Sequence, residues 1–333
     1  MLGVSTLVHA SPAALVRREH LDHPSGYLAL SPRNARFELE GSAGFIAYRE
    51  QGKHLVMFGG VHAPGPSRTS LLDAFLADAE RRERKVIAVQ IREAQGDLFR
   101  SRGFTVNKFG STYGVKLDGY TFAGTKKVNL RNKIKRAKSA GLRVLEVGRE
   151  LPSDEGTFAR LEAISGAWLQ EKRKKELDFM IGELGGPGHA DRRVFAVADA
   201  REQLIGFITY VPAYGGRPGW LHDLTRRVPD APVGCMELCN QVAMQRLASE
   251  GAQWLHFGFT PFLVDGDEGP GSSRFLSWML RKLGRYGGAI YPAQSQREYK
   301  RKWIPEVVEP ELVACRPLSL RAIIDLLLLT RSV

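Results

Sequence analysis

The chain has 333 residues, of which 43% are hydrophobic, and 48 Lys plus Arg against 36 Asp plus Glu give a formal net charge of +12. That content supports one large or two medium domains with ordinary buried cores. Cys235, Cys239 and Cys315 make neither a metal-site spacing nor an even disulfide set, and no apolar run approaches the ~20 residues that span a bilayer, which excludes a disulfide scaffold, a cysteine metal site and a transmembrane helix. The positive excess favours polyanionic partners, either nucleic acid or an anionic lipid surface, with a generally basic soluble enzyme as the plainer alternative. No secretory signal is visible, and the cysteine usage fits a reducing, cytosolic setting.

Residues 1–25 read as a lead-in with a short helix around 12–20. Strands are expected at 45–48 and 55–58 around a turn at Gln51-Gly52, with Gly59-Gly60 ending the second. A helix over 65–84, capped by Ser67 or Ser70, carries Leu71, Leu72, Phe75, Leu76 and Ala79. A strand at 86–91, a short helix at 94–102 closed by Gly103, and strands at 104–109 and 111–117 complete an α/β unit.

The stretch 126–143 is the basic centre. It holds Lys126, Lys127, Arg131, Lys133, Lys135, Arg136, Lys138 and Arg143 with no acid among them. Leu130, Ile134, Ala137 and Leu142 form an apolar seam at helical spacing, with Asn129 as a possible cap and Gly141 as a stop. One face on the protein and a wall of cations outward suits phosphate backbones; the bland alternative is a solvated linking helix.

A second α/β unit follows, with a helix over 157–170, an exposed charged stretch at 171–176, and strands at 193–199 and 204–211. Trp220 to Phe262 then reads strand, loop, helix, strand: W-L-H-D-L-T-R-R-V-P-D-A-P, a helix over 236–247 with Gly251 as its stop, and W-L-H-F-G-F-T-P-F. Asp223 and Arg226, three apart at a strand end, can point into one cleft, though a surface salt bridge would give the same spacing. Cys235 and Cys239 lie four apart on the helix as buried small residues. A helix over 275–283, a loose turn at Gly284, Gly287 and Gly288, and the run Glu298 to Trp303 come next. The tail 318–329 is an amphipathic helix, with Arg321 and Asp325 on one face and Leu320, Ile323, Ile324, Leu327 and Leu328 on the other. It would close the domain's own core or lie on a membrane.

Three ordered blocks carry a resemblance. They are D-L-T-R-R-V-P-D-A-P-V-G-C-M-E with L-H-F-G-F-T-P-F, Leu130-Arg131-Asn132 to Gly141 with Ile164-Ser165 and Trp168-Leu169, and R-E-Y-K-R-K-W at 297–303 before Pro305. Together, over about 26–313, they resemble the C-terminal catalytic domain of bacterial lysyl- and alanyl-phosphatidylglycerol synthases. That family usually reads D-L-M-R-R-x-P-D-A-P-x-G-x-M-D here, with L-G-x-A-P-L after it. The chain departs from the pattern in lacking Gly-Asp-Pro near Gly60, an acid at Ser165-Gly166-Ala167 and a glutamate near Gly288.

The resemblance implies an α/β (α+β) fold of tandem acetyltransferase-like (GNAT-like) lobes with mixed sheets. These would divide as 1–122, a basic linking helix 123–145, a catalytic lobe 146–317 and the tail helix 318–333, without the membrane-embedded domain of many full-length relatives. It implies aminoacyl-tRNA as donor and a hydroxyl or amine acceptor, most naturally phosphatidylglycerol, with a small molecule or peptide as the alternative. No pyrophosphate loop for CoA, no P-loop, no G-x-S-x-G and no histidine pair at metal spacing is found. An activated ester needs no cofactor, and none is expected.

On this reading Asp223 recognises the aminoacyl ammonium, Arg226 holds a phosphate, and Lys302 serves the developing oxyanion and leaving ribose oxygen. Lys300 and Arg301 are further phosphate contacts, and Glu237 is a structural acid at a helix start. Lys126, Lys127, Arg131, Lys133, Lys135, Arg136 and Lys138 would meet tRNA. A CoA-dependent N-acyltransferase and a non-catalytic tRNA-binding protein remain the rivals. The expected location is the cytoplasm, at the inner face of the membrane if the tail helix docks there.

Overall fold

The computed structural model describes residues 18, 20–172, 179, 182, 184, 191–263, 269–286 and 292–331. Strands β1 (Ala35–Phe37), β2 (Phe45–Gln51), β3 (His54–His62), β4 (Lys85–Arg92) and β5 (Thr105–Lys116) come from the first half of the chain. Strands β6 (Arg143–Glu146), β7 (Arg193–Ala198), β8 (Leu204–Ala213), β9 (Gly219–Arg227) and β10 (Trp254–Pro261) come from the second, and β11 (Val307–Arg316) is the last. The helices are α1 (Gly26–Ala29), α2 (Gly65–Arg81), α3 (Gly96–Arg100), α4 (Val128–Ser139), α5 (Glu155–Lys172), α6 (Cys235–Ser249), α7 (Arg274–Tyr286), α8 (Ala293–Arg301) and α9 (Leu320–Leu329). Among the described residues the strands form one 11-stranded sheet in the order β1-β2-β3-β4-β11-β5-β10-β9-β8-β7-β6.

The two halves are built alike. In each, antiparallel strands lead to one parallel pair, β3 with β4 and β9 with β10, joined by a crossover helix, α2 or α6. A parallel pair requires such a crossover. This is the mixed α/β, two-lobed arrangement that the resemblance implied. Strand β3 is buried at every position, as a parallel strand covered on both faces must be. Helix α2 covers one face of the first half with Leu71, Leu72 and Phe75, while α1, α7 and α9 cover the other.

The expected lobe boundaries need correction. Strand β11 pairs antiparallel with both β4 and β5, so the first half's sheet is completed by residues placed beyond 146. Strand β5 also pairs with β10, which fuses the halves into one sheet.

Several local expectations change for physical reasons. Strand β3 continues through Gly59-Gly60 to His62, because the Gln95 amide accepts from Val61 N–H at 2.9 Å and donates to its carbonyl at 3.2 Å. The segments 104–109 and 111–117 are one strand, since Gly110 is itself a pairing position opposite Pro261 and Glu311. Helix α2 starts after Pro64 with no side-chain cap; the Ser70 hydroxyl donates to Ser67 O instead. A 3-10 turn over Thr125–Lys127 precedes α4, so Asn129 lies inside the helix.

Helix α9 is capped by Ser319, whose Oγ accepts from Ala322 N at 3.2 Å. Its amphipathicity departs in part from the expected one, although Arg321 is exposed and Ile323 packs on the core as expected. Asp325 is fully buried against His54 Nδ1 at 2.7 Å, while Leu320, Ile324 and Leu328 are exposed. The lead-in helix near 12–20 falls outside the described residues apart from Arg18 and His20, as do the charged stretch 173–176 and the turn at Gly287-Gly288.

Candidate active site

Strands β9 and β10 pair in parallel only at Gly219, Trp220 and Leu221 with Trp254, Leu255 and His256, and then separate. Just past that point β10 shifts register against β5, between His256 and Phe259. The bulge centres on Gly258, at φ 68, where a Cβ would sit 3.4 Å from Leu221 Cδ1 and 3.6 Å from His222 O. Lys300 of α8 reaches this bulge. Its ammonium donates to Gly258 O at 2.9 Å, Phe259 O at 3.0 Å and Thr260 Oγ1 at 2.7 Å. Those three acceptors match the three donors of an ammonium.

Lys300 is buried, and burial brings its pKa down to about 7, against the opposing pull of the Glu311 carboxylate on β11. Glu311 is itself buried and lies 3.2 Å from His23 Nε2. The ammonium of Lys300, read from the sequence as a phosphate contact, is lodged in the strand separation. Arg301, one residue on, is exposed.

The Asp223-Leu224-Thr225-Arg226 run borders the same separation. Strand β8 shifts register against it between Ile208 and Tyr210, and Thr209 Oγ1 accepts from Leu224 N at 3.0 Å. His222 Nε2 bonds Thr225 Oγ1, and its ring packs among Tyr210, Phe257 and Tyr299. Burial first, and then the charges of Lys300 and, more weakly, Lys302, hold His222 down at about 3. Asp223 Oδ1 accepts from Gly182 N at 2.8 Å. The Arg226 guanidinium lies over the Trp168 ring of α5, 4.3 Å from its centroid.

Lys302 does not join this pair. Its ammonium donates to Glu237 Oε1 at 2.6 Å and lies 3.8 Å over the Tyr299 ring; Lys133 of α4 approaches the same carboxylate at 3.4 Å. Burial would raise Glu237, but the Lys302 ammonium and its hydrogen bond hold the carboxyl below its usual range. This cluster sits on the α4/α6 side of the sheet with Tyr210 and Trp303, whereas Arg226 pairs with Phe207 on the α5 side. The Lys302 ammonium, expected to face Asp223 and Arg226 across a cleft, is thus engaged by Glu237 on the sheet face opposite Arg226. Positions 300 and 302 are roughly 200° apart around a helix of 3.6 residues per turn, so only one of them can reach the strand separation. Gly234 brings α4 and α6 together: its φ is 91, and a Cβ would lie 2.0 Å from Lys133 O.

The basic helix divides in the same way. Leu130, Ile134 and Ala137 are buried beneath it, and Lys126, Lys135, Arg136 and Lys138 are exposed. Lys127 is not outward. It is buried, with its ammonium 3.6 Å over the Tyr120 ring. Arg131 donates to Phe122 O at 2.9 Å and Gly124 O at 2.6 Å, which ties down the loop before the helix.

His222, Thr209, Thr260 and Glu311 were missed by residue-level reasoning. His222 stands beside the motif, and only the fold reveals the others.

The fold is shared with solved structures at low sequence identity. L-PGS from Bacillus licheniformis superposes with a TM-score of 0.76 at 21% identity, covering 92% of this chain and 91% of that one. A C-terminal domain from Agrobacterium fabrum, assigned to a lysylphosphatidylglycerol synthetase, also gives 0.76 at 21% identity, covering 96% of each. The chain belongs to the family described as phosphatidylglycerol lysyltransferase, C-terminal, whose sequence model matches residues 13–315.

Two relatives are the phosphatidylglycerol lysyltransferase of Staphylococcus xylosus and the lysylphosphatidylglycerol biosynthesis bifunctional protein LysX of Mycolicibacterium gilvum (strain PYR-GCK). The first is 27% identical over 275 residues, 82% of this chain and 31% of the relative; the second is 26% identical over 213 residues, 62% and 19%. The chain thus spans between a fifth and a third of their lengths. Among the described residues no helix is long and apolar enough to cross a membrane.

Proposed function

We propose that this chain transfers an aminoacyl group to phosphatidylglycerol, with aminoacyl-tRNA as the donor. The acceptor class is supported by the family's description and by the name of the Staphylococcus xylosus relative, a phosphatidylglycerol lysyltransferase. The donor is supported by the exposed cations of α4. The observation that carries the chemistry is Lys300, a buried ammonium at the β9–β10 separation with a pKa near neutrality, beside the Asp223-to-Arg226 run.

The step balances without a cofactor. The acceptor hydroxyl oxygen bonds to the ester carbonyl carbon, the carbon–oxygen bond to the ribose breaks, and the hydroxyl proton passes to the ribose oxygen. Lys300 takes the part first expected of Lys302, lending positive charge near the developing oxyanion, while its three N–H groups stay with Gly258 O, Phe259 O and Thr260 Oγ1. Asp223 holds the aminoacyl ammonium, and Arg226 holds a phosphate while Trp168 fixes its plane. Lys302 is a positioning residue acting through Glu237.

The test is incubation with radiolabelled aminoacyl-tRNAs and a phosphatidylglycerol dispersion, followed by separation of the lipids. Label in an aminoacylated lipid supports the reading. Label in a water-soluble product, or transfer from an acyl-CoA, overturns it.

A further inference from the structure

Helix α7 presents two faces of opposite character. Leu276, Ser277, Leu280 and Gly284 are buried, while Phe275, Trp278 and Tyr286 are exposed at 55%, 56% and 66%. Phe275 and Trp278 stack with centroids 6.2 Å apart, and the Lys282 ammonium lies over both Trp278 and Tyr286, at 5.9 and 5.2 Å. The Arg285 guanidinium lies 5.4 Å from the Tyr286 centroid. The helix carries Arg274, Arg281, Lys282 and Arg285 and no acidic residue.

Such a contiguous aromatic face costs solvation free energy that a water-soluble surface ordinarily avoids. Helix α9 contributes Ala322 and Leu329 to the same core as Leu276 and Leu280, lying over β2 and β3 where α7 lies over β5. It exposes Leu320, Ile324 and Leu328, one turn apart each time.

We infer that the outer faces of α7 and α9 form a docking surface for an anionic phospholipid bilayer. Tryptophan and tyrosine favour the headgroup level, where an apolar ring and a polar edge are both satisfied. Lys282 and Arg285 extend from the same face toward lipid phosphates, and each basic residue near an anionic surface adds attraction. The leucine and isoleucine stripe of α9 decides against a nucleic acid, since a phosphate backbone offers it nothing. The exposed cations that suit RNA are on α4, which packs in the other core with α6. The inference deepens the lipid-acceptor reading by naming the surface through which the acceptor is approached, and it rests on that reading only for its purpose.

The experiment is co-sedimentation of the full chain with vesicles of pure phosphatidylcholine and of phosphatidylcholine mixed with phosphatidylglycerol. Binding should be confined to the mixed vesicles and weaken with salt. Phe275→Ala/Trp278→Ala and Lys282→Glu/Arg285→Glu should each lose at least tenfold in affinity while melting like the parent. Brominated acyl chains should quench fluorescence in the parent and not in Trp278→Phe. Unchanged vesicle binding in both double variants overturns the inference, as does loss of RNA binding with vesicle binding intact. Transfer to detergent-dispersed short-chain phosphatidylglycerol separates the two readings: docking variants should keep the parent's rate there. A chain that docks through α7 and transfers nothing would sink the activity and leave the docking surface standing.

Discussion

The Lys300 ammonium lies 2.7 Å from Thr260 Oγ1, inside a bulge that its own hydrogen bonds help to hold open. Replacing it with methionine keeps most of the volume and removes the charge. Transfer should fall by about 10² to 10³, as for other preorganised donors. Stability gives a second readout with a defined sign. The folded group titrates at about 7 and the ordinary group at 10.5, so the unfolded chain binds more protons between those values. The parent should therefore gain stability relative to Lys300→Met as pH rises from 7 to 10.5. A pH-independent difference in melting would show that Lys300 stays charged in the fold.

Lys302 and Glu237 should behave as a structural pair. Lys302→Ala leaves a mostly buried carboxylate short of its main partner and should cost about 1–3 kcal/mol. Glu237→Gln/Lys302→Met should recover part of that loss in a double-mutant cycle. Transfer should change less than tenfold in the double variant; a loss as large as that of Lys300→Met would restore Lys302 to the chemistry.

Lys126, Lys135, Arg136 and Lys138 are the cations of the basic stretch best placed for phosphates. Changing all four to alanine should weaken tRNA binding. The slope of log affinity against log salt should flatten by about one for each phosphate left without its cation. Lys127→Ala should instead destabilise the protein, because that ammonium serves Tyr120 and the loop carbonyl of Thr121. An unchanged slope in the quadruple variant would remove α4 from the tRNA site.

Three buried histidines should make the fold acid-sensitive. Burial holds His62 and His256 at about 4 and His222 at about 3, against 6.5 in the unfolded chain. Below pH 6.5 the unfolded state binds protons that the folded state refuses, so stability falls as pH drops toward 4. Lowering a pKa by one is worth about 1.4 kcal/mol. Denaturant midpoints measured from pH 7 to 4 should drop steeply, and His256→Asn should flatten the drop.

Deleting residues after Pro317 should unfold or precipitate the chain. The deletion removes the Asp325 carboxylate from His54 and strips Ala322 and Leu329 from a core shared with β2 and β3. A soluble, cooperatively melting truncation would show that α9 is an appendage.

Much of this was legible in the residues. The seam Leu130, Ile134, Ala137 announced α4, and the Asp223-to-Arg226 run fell beside the strand separation. The choice between Lys300 and Lys302 was not legible, because both stand in one basic run and only the fold brings Gly258, Phe259 and Thr260 to the first of them. The pairing of β11 was not legible, because a ten-residue strand carries no mark of which neighbours it will take. The burial of Asp325 in α9 was hidden for a similar reason. A buried aspartate looks like a solvent-facing one until its histidine partner, 271 residues away, is in place.

The insertion of β11 between β4 and β5 has a consequence for biosynthesis. Strands β4 and β5 are translated early, yet the segment that joins them arrives about two hundred residues later. Until then both present open backbone edges, the feature that invites pairing with the wrong chain. The first half therefore cannot finish folding on the ribosome as an autonomous unit. Its completion awaits residues 307–316, in the slow regime set by sequence-distant contacts. Ribosome-stalled chains ending before Val307 should remain protease-sensitive in β4 and β5, however long they are given.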